Sequence, residues 1–218
     1  AFAKSIFSII SQSRFDFTDA YENSFDFYSS IFEYLIKDYN VASGTYAEYY
    51  TPQSVSSIIA KILVGMSDKI EASEICDPAA GSGSLVLHLA HELGQDDGLN
   101  RAIVYTQDIS AKSSRFLRLN LMLNGMTESL PYVIEGDTLL DPAHFKVKNQ
   151  PTSGLKTFDY MVSNPPFKLD FSSTRNAIAN KWNETDRFFA GIPKIPASKK
   201  ESMAIYLLFI QHILYCLK

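Results

Sequence analysis

The chain has 218 residues, of which 46% are hydrophobic and 20% are charged, and its formal net charge is −4. This composition is typical of a globular protein and excludes a mostly disordered chain. The two cysteines are too few for a disulfide framework or a four-cysteine zinc site, so we expect a reducing, cytoplasmic setting. No apolar run reaches the roughly 18 residues that predict a membrane-spanning helix.

The N-terminal stretch indicates helical structure. Between residues 20 and 39, large apolar side chains recur at steps of three and four, which predicts an amphipathic helix with a buried aromatic face. The chain begins with Ala-Phe-Ala rather than Met and ends directly after an apolar stretch. We therefore expect it to be a fragment of a longer protein.

A further helix is predicted from residue 51 onward. Thr51 is suited to an N-cap, and Pro52 is suited to the first helical position. An apolar stripe is expected to pack this helix against the core: Val55, Ile58, Ile59, Ile62 and Leu63.

The pattern changes at residue 74 to short strands that alternate with helices. We predict strands at 74–77, 102–107, 131–135 and 158–163, and helices at 84–93, 111–124 and 203–217. Such alternation predicts an α/β fold, a Rossmann-like and mostly parallel sheet with helices on both faces. Residues 168–201 look irregular, and their seven basic and four acidic residues fit either a weakly basic surface or a solvated loop.

A loop of small residues joins the first predicted strand to its helix. It runs Asp77-Pro78-Ala79-Ala80-Gly81-Ser82-Gly83-Ser84. At the carboxyl edge of a parallel sheet, such residues let a ligand approach the backbone N–H groups of a helix start. A Walker loop would need a lysine here, and a dinucleotide loop would need a third glycine where Val86 stands. The loop therefore favours a neutral or zwitterionic ligand, and a plain tight turn is the alternative.

Acidic residues follow the next two predicted strands. Asp108 lies 25 residues after Gly83, where open α/β sheets place an acid that accepts hydrogen bonds from a ribose diol. Asp137 follows the third strand and could accept from an exocyclic adenine amine. The alternatives are that Asp108 caps the helix beginning near Ser110 and that Asp137 forms an Asx turn. Together with Asp77, these acids predict an adenosine pocket.

The fourth predicted strand leads into Asn164-Pro165-Pro166-Phe167. Consecutive prolines fix the backbone and remove N–H donors, which leaves carbonyl oxygens free to accept. Asn164 adds a side-chain carbonyl, so two rigid acceptors could bind both hydrogens of one planar amine. The ring of Phe167 offers a face on which a base could stack. The alternative is a proline-stiffened loop with an asparagine cap.

Two histidines, His88 and His91, fall on the helix after the glycine loop. We expect both to be exposed polar positions. Because neither has other candidate ligands at metal-binding spacing, the sequence predicts no metal site.

These motifs together resemble a known family. The loop at 77–85, followed by Asn-Pro-Pro-Phe at 164–167, is similar to the amino-methylating DNA methyltransferases that use S-adenosylmethionine. Tyr49-Tyr50-Thr51-Pro52 precedes the loop, as in members whose cofactor motifs come before the catalytic one. The combination most resembles the modification (methylase) subunit of type I restriction-modification systems, which methylates adenine at N6. The likeness covers about residues 45–217.

The resemblance implies a role for each motif. It assigns cofactor binding to Tyr50, Thr51, Pro52, Asp77, Ala79, Gly81, Ser82, Gly83, Asp108 and Asp137. It assigns catalysis to Asn164, Pro165, Pro166 and Phe167. Asp77 would lie near the amino group of the methionine part, Asp108 on the ribose and Asp137 on the adenine amine. Asn164 and the Pro165 carbonyl would accept from N6 of the target adenine, on which Phe167 would stack.

The resemblance also implies partners and a division of the chain. The substrate would be double-stranded DNA with a flipped adenine, and a specificity subunit and a restriction subunit would be partners, with no membrane involved. Residues 1–40 would be the tail of an N-terminal helical domain, and residues 41–218 a partial catalytic domain whose C-terminal strands are missing. The family more often carries Glu where Asp108 stands.

Two other functions stay open on the sequence. The same acceptor geometry suits other planar amines, namely cytosine N4, an RNA base or a glutamine amide in a protein. The chain could also be a catalytically silent scaffold that binds the cofactor and a partner subunit.

Overall fold

A computed structural model divides the chain into two compact units, residues 1–45 and 46–218. It describes residues 31, 34, 51–66, 73–94, 102–167, 169–182 and 186–218. Nearly all of the aromatic helix predicted over 20–39 lies outside these residues, and so does Tyr50. Those expectations and the predicted domain boundary at residue 40 stay predictions.

Four parallel strands form the sheet of the larger unit, in the order β3-β2-β1-β4. Their bounds are Ser73–Asp77 (β1), Ala102–Asp108 (β2), Val133–Glu135 (β3) and Tyr160–Met161 (β4). Each strand lies within a predicted segment or extends it by one residue. The predicted parallel sheet is confirmed.

Five α-helices are seen among the described residues of the larger unit. They are Gln53–Gly65 (α1), Ser84–Leu93 (α2), Ala111–Leu123 (α3), Ser172–Trp182 (α4) and Tyr206–Cys216 (α5). None of them has both the length and the apolar character that crossing a bilayer requires.

The helices cover the sheet on both faces, as the sequence predicts. Helix α2 connects β1 to β2 and α3 connects β2 to β3, so right-handed crossovers place both on the same face. Cys76 and Tyr105 are register partners and therefore point to one common face. There they cluster with Leu155, Phe158 and Cys216, the last residue of α5. The architecture is thus an α/β fold of the Rossmann-like type.

Helix α1 packs differently from the prediction. Val55, Ile58 and Ile62 of the expected buried stripe are 44%, 59% and 55% exposed, whereas Ser56 and Ala60 are buried. Helix α1 packs on α2 through this face of small side chains, because small side chains let two helix axes approach closely. The predicted stripe was therefore wrong for Val55, Ile58 and Ile62, whereas its other two members, Ile59 and Leu63, are half-buried.

The segment 168–201 is also more ordered than predicted. It contains α4 and a short 3₁₀ turn at Asp186–Phe188. Both elements contribute to a buried apolar cluster, which consists of Leu139, Phe171, Ile178, Phe188, Met203, Ile205, Leu208 and Phe209. Phe171, Ile178 and Phe188 of this segment therefore belong to the folded core, whereas residues 189–199 are mostly exposed and irregular, as the sequence predicts.

Candidate active site

The predicted site residues converge on the carboxyl edge of the sheet. Asp77 and Asp108 are the last residues of β1 and β2, and Asp137 and Asn164 follow β3 and β4 closely. Since all four strands are parallel, these residues leave the sheet at the same edge.

The glycine loop is a tight turn between β1 and α2. Gly81 and Gly83 have φ angles of 54° and 85°, a left-handed conformation that glycine adopts without strain. A Cβ added to Gly83 would collide with the Cδ1 atom of Leu117 on α3. Any other residue at position 83 would therefore adopt a strained backbone and displace the Leu117 side chain.

Asp77 is a deeply buried acid at the base of this loop. Its side chain is 1% exposed, and its Oδ1 accepts a hydrogen bond from the Ala79 N–H at 2.9 Å. Burial raises the pKa of Asp77 to about 7, although the Ala79 hydrogen bond opposes this shift. A cationic group beside this carboxyl would therefore favour its ionisation.

Asp108 joins the glycine loop to the end of β2. Its Oδ2 accepts from the Gly81 N–H and its Oδ1 from the Ser110 N–H, both at 2.8 Å. Burial raises the pKa of Asp108 above its usual range. The N-cap of α3 is Ser110, whose Oγ accepts from the Ser113 N–H. Asp108 is therefore more than a helix cap, since it also holds the glycine loop.

Asp137 forms the Asx-type turn that the sequence left as an alternative. Its Oδ1 accepts from the N–H groups of Leu139 and Leu140 at 2.9 and 3.1 Å. The next residue connects this turn to the glycine loop, because the Thr138 hydroxyl donates to the Pro78 carbonyl at 2.7 Å. The Asp137 segment thus lies directly beside the loop.

The Asn-Pro-Pro-Phe tip contacts the beginning of α1. The Asn164 Nδ2 donates to the Thr51 Oγ1 at 3.3 Å, so the amide oxygen is the end that can accept from a ligand. The N-cap of α1 is Pro52 and its first residue is Gln53, so the prediction that Thr51 caps this helix was wrong by one residue. The Thr51 hydroxyl is hydrogen-bonded to Asn164 and not to the helix end.

Helix α1 connects this tip to the glycine loop. The Ser56 Oγ lies 3.3 Å from the Pro52 carbonyl oxygen, to which it donates, and 2.9 Å from the Ser84 Oγ at the start of α2. One helical turn of α1 therefore lies between the Asn164 tip and the end of the glycine loop.

The ring of Phe167 is accessible, as a stacking surface requires. It is 64% exposed, and its centroid lies 6.2 Å from that of Tyr206 at an interplanar angle of 53°. Asn164 and Pro166 are also exposed, and Pro165 is half-buried. The tip can therefore be reached by a macromolecular substrate.

Two residues near the site were missed by the sequence analysis. Tyr206 is the first residue of an apolar helix, and only the fold brings it to Phe167. Arg187 belongs to the segment taken as irregular, yet it is fully buried. The aromatic pair that follows it, Phe188-Phe189, is a signal that could have indicated packing there.

The histidines of α2 are half-buried and not exposed as predicted. The Nδ1 of His88 lies 2.8 Å from the Ser84 carbonyl oxygen of its own helix. Among the described residues, no group of three or more His, Cys, Asp or Glu side chains could hold a metal ion.

Comparison with known proteins gives a family match over most of the chain. The model of the family described as N-6 DNA Methylase matches residues 23–218. The type I restriction enzyme MpnII methylase subunit of Mycoplasma pneumoniae is 29% identical over 197 residues, which are 90% of this chain and 34% of that protein. The MjaIX methylase subunit of Methanocaldococcus jannaschii is 28% identical over 144 residues, 65% of this chain and 23% of that protein. The chain thus spans about a third or less of these relatives.

Two solved structures share the fold. The type I restriction-modification methyltransferase subunit of Streptococcus thermophilus aligns with a TM-score of 0.54 at 23% identity, covering 78% of this chain and 32% of that one. The modification subunit of a putative type I restriction enzyme from Vibrio vulnificus aligns with a TM-score of 0.60 at 19% identity, covering 91% and 37%.

Proposed function

The chain belongs to the N-6 DNA methylase family, and we propose that it transfers a methyl group from S-adenosylmethionine to the N6 amine of adenine in DNA, as the modification subunit of a type I restriction-modification system. The observation that carries this proposal is the hydrogen bond between Asn164 and Thr51. It sets the acceptor motif beside the helix that is bonded to the glycine loop, so donor and acceptor of the methyl group would meet at one edge.

The residues present fit S-adenosylmethionine, which would supply an electrophilic methyl group on its sulfonium. The buried Asp77, with a pKa of about 7, would ionise beside the cationic amino group of the methionine part. The glycine loop would contact the same part through Ala79, Gly81, Ser82 and Gly83, together with Tyr50, Thr51 and Pro52. Asp108 would accept from the ribose and Asp137 from the adenine amine.

The acceptor side would work by orientation. Asn164 and the Pro165 carbonyl would accept the two hydrogens of the N6 amine, with Pro166 keeping the backbone rigid. This arrangement directs the nitrogen lone pair at the methyl carbon and stabilises the positive charge that develops on nitrogen. Phe167 would stack on the adenine, which must leave the duplex because N6 is unreachable while the base is stacked.

DNA selection would come from other chains. In the proposed system a specificity subunit chooses the site and a restriction subunit cleaves unmodified DNA. The net charge of −4 fits this division, because a protein that grips DNA unaided usually presents a basic face.

The test is methyl transfer from tritiated S-adenosylmethionine to unmethylated DNA, with the specificity subunit present. We expect Asn164→Ala to abolish transfer and to bind S-adenosylhomocysteine as the wild type does. Asn180→Ala, which changes an exposed asparagine on α4, is the matched control and should retain activity.

Three outcomes would contradict the proposal. Transfer that survives Asn164→Ala would remove this residue from catalysis. Transfer to RNA or protein but not to DNA would indicate a different amine acceptor. Cofactor binding without transfer by the complete complex would indicate a silent scaffold.

A further inference from the structure

Arg187 is a buried cation whose hydrogen bonds, within the part of the chain that the structure describes, all go to neutral acceptors. Its side chain is 0% exposed. Its Nη1 donates to the Leu139 carbonyl at 2.9 Å, its Nη2 to the Thr138 carbonyl at 2.6 Å and its Nε to the His212 Nδ1 at 3.1 Å. No ion pair with a carboxylate is found for it within the described residues.

Burial of this charge costs free energy of folding, so a contribution to stability alone does not explain it. Burial lowers the pKa of Arg187 to about 10, so the side chain is still cationic at neutral pH. An apolar residue of similar volume would fill such a position without the desolvation of a charge. What the guanidinium adds is a rigid set of donors that fixes several acceptors at once.

The acceptors belong to the turn that begins with Asp137. Asp137 accepts from the N–H groups of Leu139 and Leu140, while Arg187 binds the carbonyls of Thr138 and Leu139. The turn is therefore held through its N–H groups from one side and through its carbonyls from the other. The conformation of the turn therefore depends on both sets of hydrogen bonds, and so does the direction of the Asp137 carboxylate.

The other side of Arg187 is fixed by α4 and α5. Its guanidinium lies 4.6 Å from the centroid of the Trp182 ring, and the Trp182 Nε1 donates to the Leu140 carbonyl at 3.0 Å. His212 of α5 can accept from Arg187 only as the neutral imidazole, and burial lowers the pKa of His212 well below its ordinary value. Helices α4 and α5, which follow the Asn-Pro-Pro-Phe motif in the sequence, thus help to hold the turn after Asp137, which precedes that motif.

We propose that Arg187 is a positioning residue for recognition of the cofactor's adenine: by fixing the carbonyls of Thr138 and Leu139, it directs Asp137 at the exocyclic amine. This inference rests on the proposed function, in which Asp137 binds that amine. If so, the preference for a ligand that carries this amine depends on Arg187, which lies 50 positions after Asp137 in the sequence. The role of Arg187 is then not limited to folding.

The test compares two ligands that differ at this amine. S-adenosylhomocysteine carries it, and S-inosylhomocysteine carries an oxygen in its place. In calorimetric titrations, the wild-type chain should bind the adenosyl ligand with an affinity roughly tenfold to a hundredfold higher than that for the inosyl ligand. This is the range for one hydrogen bond to a charged group. Arg187→Met should bring this ratio to within about threefold by weakening the adenosyl ligand alone. Asp137→Ala should do the same, and the double variant should lose no more than either single variant.

Two further variants separate positioning from folding. Ile178→Ala removes side-chain volume from the same buried cluster without removing a hydrogen bond to the turn. It should lower stability and leave the ligand ratio of the folded fraction unchanged. If Arg187→Met does not fold, Arg187→Lys and Trp182→Phe replace it, since each removes hydrogen bonds to the turn and keeps most of the packing; both should lower the ratio.

The outcomes that overturn the inference differ from those that overturn the function. If the folded Arg187 and Trp182 variants kept the wild-type ratio of affinities for the two ligands, the positioning role of Arg187 would be refuted. An equal loss of the ratio in Ile178→Ala would show that the effect is general destabilisation. Failure of the wild-type chain to bind S-adenosylhomocysteine at all would instead contradict the proposed function.

Discussion

At the residue scale, the Thr51 hydroxyl decides which end of the Asn164 amide faces a ligand. It accepts from the Asn164 Nδ2, although the two residues are 113 positions apart. An amide has one donor end and one acceptor end, so engaging the donor end presents the acceptor. In the proposed reaction the acceptor is the end that binds the N6 amine.

Replacing Thr51 therefore tests this orientation. We expect Thr51→Val to lower kcat by about fivefold to tenfold, the worth of one neutral hydrogen bond. Thr51→Ser, which keeps the hydroxyl, should retain most of the wild-type kcat. Steady-state kinetics for methyl transfer measure kcat and the KM for S-adenosylmethionine separately. A change in this KM would instead indicate that Thr51 contacts the cofactor. Unchanged values of both parameters in Thr51→Val would contradict the assignment.

Asp77 makes cofactor affinity depend on pH. Its folded pKa of about 7 lies above the ordinary value of 3.8, so the folded chain without ligand holds a proton that the unfolded chain releases. This proton stabilises the folded state at low pH, and the contribution is lost as pH rises from about 4 to about 7. A bound ammonium would favour the ionised carboxyl, so binding releases the proton below pH 7.

We therefore expect the affinity for S-adenosylhomocysteine to rise by up to about tenfold per pH unit below pH 7 and to level off above it. Calorimetry in two buffers of different ionisation enthalpy should detect the released proton. Asp77→Asn should bind more weakly and without this pH dependence. Affinity that falls as pH rises toward 7 would be evidence against a cationic group beside Asp77.

At the element scale, the glycine loop depends on the absence of one side chain. Gly83 and Gly125 both have positive φ, at 85° and 71°, but only at Gly83 would a Cβ meet other atoms. Substituting alanine at either position adds backbone strain of about 1 kcal/mol. At Gly83 a collision with Leu117 adds about 1–3 kcal/mol.

Chemical denaturation should show this difference. Gly83→Ala should lower the free energy of unfolding by about 2–4 kcal/mol and Gly125→Ala by about 1 kcal/mol. In a Leu117→Ala background, where the colliding atoms are gone, the Gly83→Ala loss should approach that of Gly125→Ala. Equal losses at the two glycines in the wild-type background would show that the close approach of α3 does not constrain the loop.

The elements that could be predicted are those with a local signal. Strand β1 and helix α2 were located because the buried run before Asp77 is followed by turn residues and then by an apolar period that ends at Gly94. The buried face of α1 was mistaken, because Val55 and Ile58 have the stronger hydropathy while Ser56 makes the contact with α2. Periodicity reports which residues are apolar, and packing also depends on which are small.

Within the site, the sequence located the motifs but not their connections. The order of parallel strands was enough to place Asp77 and Asp108 at one edge. The bond between Asp108 and Gly81 and the bond between Thr51 and Asn164 join residues far apart in the chain. The burial of Arg187 is equally non-local, since its acceptors lie in the turn after β3.

At the scale of the whole molecule, part of the positive charge available for contact with DNA is used within the fold. In the segment 168–201, for which the sequence left a weakly basic surface and a solvated loop as alternatives, Arg187 is buried and Arg175 donates to the carbonyls of Ile192 and Pro193. Lys181 is paired with Asp141. Fewer basic side chains are therefore free to contact DNA than the sequence alone indicates, which agrees with the proposal that other subunits would hold the duplex.

The proposed function requires the Asn164 tip to face the methyl-bearing end of the cofactor across a gap about one nucleobase wide. A crystal structure of the chain with bound S-adenosylhomocysteine measures this directly. We predict that the sulfur lies opposite Asn164, with the ribose at Asp108 and the adenine at Asp137. A ligand bound elsewhere, or one whose sulfur is turned away from Asn164, would contradict the proposed function.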